Sequence, residues 1–362
     1  MISYEKALKI MKQNIKVSKK TEKIDIQDSH MRIISRKILS KTNNPRNDIS
    51  AMDGIVIFKK ELKKNNIFKI VGESKTGNKF CSSFKNNEAK FIYTGAPVPG
   101  SNKIVVPKEN YIYDEKNNSI IIKKIDQRHF IRFKGEDFKK NKICFSQNEI
   151  IKIRSLSLAK TLGIKTVDVK KKPSIYVILT GDELITKDNP KGLIESSNEI
   201  LINMMIKKFG GDLKGIFTAK DNEKDFLSKL NNLQNYDLLI TSGGISKGKY
   251  DIVKKVMKKN KLKVLFDQIA VKPGKPTTFG KIGASSYFLG LPGNPVSCFI
   301  SMLFYFSQFI NCFYGTDFIN LKKQKMKVSH LVKKNNSLTN FLRVRFLPNN
   351  SERFYVYDNQ DS

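Results

Sequence analysis

Three apolar runs, at 175–180, 238–241 and 287–291, each pass directly into a turn that contains glycine. Helical periodicity lies between and after them, at 197–209, 222–233, 250–259 and 295–310. Runs that are apolar throughout, rather than alternating, predict strands buried on both faces. Strand–turn–helix alternation then predicts a doubly wound α/β domain built on a parallel sheet with helices on either side. In such sheets ligands bind beyond the carboxyl ends of the strands, so the three glycine turns are where a site belongs.

The rest of the chain obeys other periods. Residues 3–40 read as helical, from the recurrence of Tyr4, Ala7, Leu8, Ile10 and Met11 and again of Ile33, Ile34, Ile38 and Leu39, until Asn43, Asn44 and Pro45 stop the pattern. Short β-rich runs follow at 54–58, 68–71, 91–93, 104–107 and 120–122, separated by loops of Gly, Asn and Pro, which predicts a small β domain. Residues 136–165 turn mixed and then helical, so the β domain reads as an insertion in a helical segment. A basic linker after Gly315 leads to a β-like tail at 325–357. The expected organisation is a helical domain from 1–44 and 135–168, an inserted β domain at 45–134, an α/β domain at 169–318, and a partial C-terminal β domain at 319–362. A chain of 362 residues suits two to three domains.

A net charge of +34 suggests at first a nucleic-acid binder. Only nine of the 67 basic residues are arginine, however, and lysine is spread through nearly every segment. Base readers favour arginine for bidentate contacts, so the charge reads as a solvated lysine surface able to steer small polyanions, with no nucleic-acid partner. Cys81, Cys144, Cys298 and Cys312 are too far apart for a zinc site or a disulfide framework, and three scattered histidines add no cluster. Residues 1–12 are amphipathic rather than a leader, and the longest apolar stretch, 298–310, is interrupted by Ser and Gln. These features predict a cytoplasmic protein without a membrane partner.

Six segments could carry chemistry. Ser242, Gly243, Gly244, Ser246 and Gly248 form a glycine-rich strand-to-helix turn whose N–H groups can face an anion, or which is merely tight. Asp251 then serves a metal or a water, or simply caps a helix. Thr180, Gly181, Asp182 and Glu183 place two acids at another strand exit, an oxygen-only set suited to Mg²⁺. Pro292, Gly293, Asn294, Pro295 and Ser297 fit a helix start with Asn294 as N-cap. Lys272 and Lys275 flank Pro273-Gly274, a rigid turn presenting two ammonium groups. Asp53 follows Ser50-Ala51-Met52, and Thr94 opens Thr94-Gly95-Ala96-Pro97-Val98-Pro99; alone, each is a turn.

In this order the segments resemble the molybdopterin molybdenumtransferase family, which includes the E domain of gephyrin and of the plant molybdenum-insertion protein. The resemblance runs from about Ser3 to the end of the chain. It implies a four-part subunit that forms a homodimer and inserts molybdate into adenylylated molybdopterin with release of AMP. It implies Mg²⁺ held by Glu183, Asp221 and Asp251, and catalytic roles for Asp251, Glu183, Asp53, Asp137 and Thr94. It makes Thr180, Gly181, Asp182, Asn198, Ser242, Gly243, Gly244, Ser246, Gly248, Lys272, Lys275, Pro292, Gly293, Asn294 and Ser297 cofactor-binding. It assigns molybdate to Arg343, Ser362, Lys272 and Lys275. The partners it implies are small molecules and the molybdopterin adenylyltransferase. The chain departs from the pattern at 100–106, at Gln268, and at Asn359-Gln360-Asp361-Ser362, where relatives carry Gly in place of Asp361 and continue into further barrel strands. The alternatives are an adenylyltransferase, which lacks the segments around Asp53 and Thr94, and a pterin-binding protein without insertion activity.

Overall fold

The computed structural model describes all residues except 78–81, 127, 183, 185–194, 244–251, 329–336, 348–349, 358–359 and 361–362, and except the side chains of 327–328, 347 and 350–353. The chain forms two compact units, Met1–Glu22 with Val169–Ser362, and Lys23–Asp168.

The first unit opens with helix α1 (Tyr4–Asn14). Ser3 caps it, its side chain accepting from Lys6 N at 3.2 Å, and Tyr4, Ala7 and Met11 form its buried stripe. The helix expected to reach residue 40 stops here. Ile15 is already extended, Ile26–Asp28 is a single 3₁₀ turn, and Ile38–Leu39 pairs with Ile143–Phe145. Ile33 and Ile34 are buried, but through short β pairings. Short β-branched clusters satisfy either period, and here tertiary pairing decides.

In the second unit six strands form one sheet: β1 (Gly54–Phe58), β2 (Ile67–Ser74), β3 (Glu88–Ile92), β4 (Lys103–Pro107), β5 (Tyr111–Asp114) and β6 (Ser119–Ile122), in the order β4-β1-β3-β2-β6-β5. Ile55, Phe68, Ile70, Ile104, Val106 and Ile120 fill one face. Val56, Ile92 and Val105 face the other, against Phe84 and Ala96. Helix α2 (Ile153–Thr161) follows.

Back in the first unit the chain runs β7 (Ser174–Thr180), α3 (Ser197–Lys208), β8 (Asp212–Ala219), α4 (Glu223–Asn231), β9 (Leu238–Ser242), α5 (Ile252–Lys259), β10 (Leu262–Phe266), β11 (Thr278–Ile282) and β12 (Ser286–Leu291). The sheet order is β8-β7-β9-β12-β11-β10. Only the first four strands are mutually parallel; β11 is antiparallel to both its neighbours, which corrects the expectation of a parallel sheet throughout. The link from β11 to β12 is a short turn with Gly283 at φ +57, and a tight turn can join only antiparallel strands.

Helix α6 (Pro295–Tyr314) is continuous through one π-helical turn at Met302–Phe306, so it is longer than its interrupted sequence suggested. By length and composition it could cross a membrane. Half of its most apolar stretch is buried inside the protein, and Met302, Tyr305, Phe306, Phe309 and Ile310 are fully buried, as in a core helix. Two further strands, β13 (Val344–Leu347) and β14 (Asn350–Val356), pair antiparallel near the C-terminus.

Candidate functional site

The register of the parallel strands gathers their carboxyl ends. Leu179 lies beside Ser242, and Ser242 beside Leu291, so the three glycine turns start at one level of the first unit's sheet. Gly243 fits closely against β7: with φ +93, a Cβ there would stand 2.3 Å from Thr180 O and 2.7 Å from Thr180 Oγ1. No side chain is tolerated at that contact, which is why the turn needs glycine. Gly243 N also donates to Leu291 O at 3.2 Å, tying the β9 turn to the β12 turn.

Asn198, at the start of α3, holds these turns from one side. Its Nδ2 donates to Ser242 Oγ at 3.0 Å and to Gly293 O at 2.7 Å, and Ser242 Oγ donates to Pro292 O at 3.3 Å. Asn198 is 8% exposed, yet among the described residues its Oδ1 has no hydrogen-bond partner, and neither has the buried Thr180 Oγ1. A buried polar atom left unpaired costs about 1–3 kcal/mol, so each of these two oxygens calls for a partner beyond the described residues. Asn294 accepts from Ser297 N at 3.1 Å and caps α6, so the helix-start reading of that segment holds.

Asp182 accepts from Asp221 N at 3.0 Å, which sets two acids side by side beyond β7 and β8. Among the described residues no group of three His, Cys, Asp or Glu could hold a metal ion. Glu183, Gly244, Ser246, Gly248, Asp251 and Ser362 lie outside the described residues.

The lysine turn is braced from below. Thr277 Oγ1 lies 2.7 Å from Gly274 O and 2.7 Å from Ser301 Oγ of α6, while Lys272 and Lys275 are exposed. Lys272 O accepts from Phe341 N at 2.8 Å, which brings the segment carrying Arg343 alongside. Arg343 N donates to Gln360 Oε1 at 2.8 Å, and Gln360 Nε2 returns to Arg343 O at 3.2 Å. Gln360, of the C-terminal segment, is thereby bonded to the arginine predicted for molybdate.

The second unit carries a cluster of its own. Asp53 Oδ1 accepts from Thr94 N at 2.7 Å and from Thr94 Oγ1 at 2.8 Å. These two donors, the backbone N–H first, hold its carboxyl below the usual range. Asp137 Oδ2 accepts from Arg132 Nη2 at 2.5 Å and from Asn44 Nδ2 at 3.0 Å. The segment at 48–51 joins the two pairs, since Ser50 bonds Gly95 and Ala96 while Ala51 N donates to Phe130 O.

Thr241 opens the glycine-rich segment without an assigned role, and sequence reasoning missed Thr278. Both hydroxyls are buried without a partner among the described residues, and they flank Gly290 in one row across β9, β12 and β11. A threonine in an otherwise apolar buried strand was the available signal.

Comparison with known proteins agrees with this geometry. Residues 2–163 match the MoeA N-terminal region (domain I and II), and residues 176–311 match a probable molybdopterin binding domain. The chain is 32% identical over 304 residues to the molybdopterin molybdenumtransferase of Haemophilus influenzae, covering 83% of this chain and 75% of that one. The enzyme of the same name from Staphylococcus epidermidis is 29% identical over 353 residues, covering 95% and 83%. The crystal structure of a molybdopterin biosynthesis MoeA protein from Pyrococcus horikosii superposes with a TM-score of 0.79 at 26% identity, covering 99% of this chain and 90% of that one. At 32% identity over most of both chains, with family models matching residues 2–163 and 176–311, the chain belongs to the molybdopterin molybdenumtransferase family.

Proposed function

We propose that this chain is an enzyme of molybdenum-cofactor biosynthesis that inserts molybdenum from molybdate into adenylylated molybdopterin and releases AMP. The observation that carries the reading is the β9 tip, where Asn198 clamps two turns together and leaves its own oxygen unpartnered among the described residues. The turns of β7, β9 and β12 receive the pterin and its phosphate. Lys272, Lys275 and Arg343 supply cations for a tetrahedral oxyanion, and Ser362 is the further molybdate residue by resemblance. Mg²⁺ is the expected ion because the donors are carboxylate oxygens alone; Asp221 would hold it with Glu183 and Asp251, and it would offset the charge of the pyrophosphate. Asp53, whose carboxyl is held below the usual range by its bonds from Thr94, and Asp137 and Thr94 are the second unit's catalytic residues by resemblance. The working form is a homodimer in the cytoplasm, supplied with substrate by the molybdopterin adenylyltransferase.

The test supplies the purified chain with adenylylated molybdopterin, molybdate and Mg²⁺ and measures AMP and pterin-bound molybdenum together. Both should appear in equal amounts. Adenylylation of molybdopterin from ATP would assign the alternative transferase activity. Tight pterin binding with no AMP on adding molybdate would leave a binding protein.

A further inference from the structure

The Thr94–Pro97 turn of the second unit is held from two sides. Ser50 serves one: Gly95 N donates to Ser50 O at 2.8 Å, and Ser50 N donates to Ala96 O at 2.9 Å. The tail of β2 serves the other. Thr76 Oγ1 donates to Thr94 O at 2.8 Å, and the buried Ser74 Oγ donates to Pro97 O at 2.8 Å. A bulge puts them there. From Ile70 to Glu73 β2 advances three residues against two of β3, Ala89 to Phe91, with Gly72 at φ +138. A shift of one residue exchanges the faces of a strand, so without the bulge Ser74 would point away from the turn it holds. Ser74 lies beside Ile92, which brings Thr76 level with Thr94 two residues on.

The bond from Thr76 differs from the others in what it fixes. A peptide group is planar, so a bond at its oxygen and another at its N–H together set its orientation. The Thr94–Gly95 peptide has both, with Thr76 on its oxygen and Ser50 on its N–H. The Tyr93–Thr94 peptide has both as well: Ala96 N donates to Tyr93 O at 2.8 Å, and Thr94 N donates to Asp53 Oδ1. Thr94 is thereby pinned between two oriented peptides, and its N–H and its hydroxyl meet one oxygen of Asp53. Of these four peptide bonds, only the one from Thr76 is made by a side chain outside the Asp53–Thr94 pair. The Thr76 methyl also lies against Gly95, 3.5 Å from where a Cβ would stand.

We propose that Thr76 is a positioning residue for the reaction: by holding the Thr94–Gly95 peptide it keeps both Thr94 donors on a single oxygen of Asp53. The assignment rests on reading Asp53 and Thr94 as catalytic, and it adds the residue that aims them.

Two readouts on the full chain test it, the carboxyl ¹³C titration of Asp53 and AMP release from adenylylated molybdopterin with molybdate and Mg²⁺. Thr76→Val keeps the methyl contact with Gly95 and removes the donor. Water can satisfy Thr94 O in its place but does not orient the peptide. The Asp53 midpoint should therefore rise towards the ordinary carboxylate value, with kcat falling about fivefold and KM staying within about twofold. Thr76→Ser keeps the donor and should restore all three. The charged neighbour of Asp53, Lys108, is untouched in each variant. Ser74→Ala is the structural control: it loosens the far end of the turn at Pro97, and should lower the melting temperature more than Thr76→Val while moving the Asp53 midpoint less. An unmoved midpoint in Thr76→Val, an equal shift in Ser74→Ala, or no rescue by Thr76→Ser would overturn the positioning role. A shifted midpoint with unchanged turnover would overturn its part in the reaction. Asp53→Asn tests the underlying reading separately. Unchanged AMP release in that variant would sink the catalytic role of Asp53, while the titration still decides whether Thr76 aims Thr94.

Discussion

The strand-tip cluster of the first unit and the acid cluster of the second are built on opposite principles. Around Gly243 the polar groups are neutral and buried, and Asn198 Oδ1 and Thr180 Oγ1 have no partner among the described residues. Around Asp53 and Asp137 they are charged and exposed, and the Asp53 and Asp137 oxygens already accept from Thr94, Arg132 and Asn44. An unpaired buried oxygen costs stability, whereas a solvated carboxylate costs nothing, and we read the first arrangement as one that a ligand completes. The first cluster is a receptacle; the second is a fixed set of charges.

The largest expected difference lies in how the two regions tolerate a methyl group. Gly243→Ala drives a Cβ to 2.3 Å from the backbone oxygen of Thr180 at φ +93, and should destabilise the first unit by about 3 kcal/mol in urea unfolding. Gly95 in the second unit is also left-handed, at φ +82, but its nearest atom is a side-chain methyl of Thr76 at 3.5 Å. Gly95→Ala should cost only the backbone strain, about 1 kcal/mol. Equal losses would mean the first cluster is no more tightly built than the second.

The second unit also buries charged side chains away from the acids, Glu61, Lys90 and Lys103 among them. Lys103 is 9% exposed, with its ammonium 2.8 Å from the Phe58 ring centroid and 4.5 Å from that of Phe84. Burial, helped by Lys60, pushes its pKa down to about 8. The unfolded chain then binds a proton that the folded unit has lost between about pH 8 and the ordinary lysine value, so stability rises with pH through that window and the deficit is complete below it. Hydrogen exchange at β1 and β4 should slow as pH-corrected stability grows from pH 8 to 10. Lys103→Met should flatten that trend and raise the melting temperature at pH 7 by about 3 °C. A flat wild-type profile would return Lys103 to an ordinary solvated lysine.

Smaller still is the effect expected on Asp53. Its lowered pKa means that its carboxylate contributes to stability above the usual carboxylate range and loses that contribution as pH falls through the lowered value. Thr94→Ala removes the hydroxyl donor but keeps the stronger backbone N–H, so the pKa should rise part of the way, read from the carboxyl ¹³C shift against pH. The acid limb of turnover should move in the same direction. No movement in either would remove Thr94 from the control of this acid.

Much of the first unit was legible in the sequence because its strands are apolar without alternation and end in glycine, so period and turn chemistry agree. β8 was not, since Asp212–Ala219 is an edge strand of half-buried residues around Gly215 and carries neither signal. The helical reading of 15–40 failed for a related reason: Ile33 and Ile34 are buried, and Ile38 half-buried, by pairings with residues more than a hundred positions away, which no local period encodes. At the site, glycine and proline spacing pointed to the turns. The amide clamp of Asn198 needs α3, β9 and β12 together, so one sequence could name the residue by resemblance but not its bonds. The Asp53–Thr94 bond joins two motifs that spacing alone left as separate turns.

The smallest effect tests the claim that the second cluster is only solvated charge. Arg132 and Asp137 stand 2.5 Å apart, but their side chains are 42% and 41% exposed, so water screens the attraction and ordering two side chains offsets much of it. A double-mutant cycle of Arg132→Gln and Asp137→Asn should give a coupling below about 1 kcal/mol, shrinking further in 1 M salt. Asn44 still donates to Asp137 in the single arginine variant, which keeps the carboxylate in place and makes the change in stability smaller again. A coupling of several kcal/mol would instead describe a desolvated pair. It would follow that the second cluster, like the first, is held in a cost-bearing arrangement awaiting a ligand, and the distinction between receptacle and fixed charge would fail at the residue where it is easiest to measure.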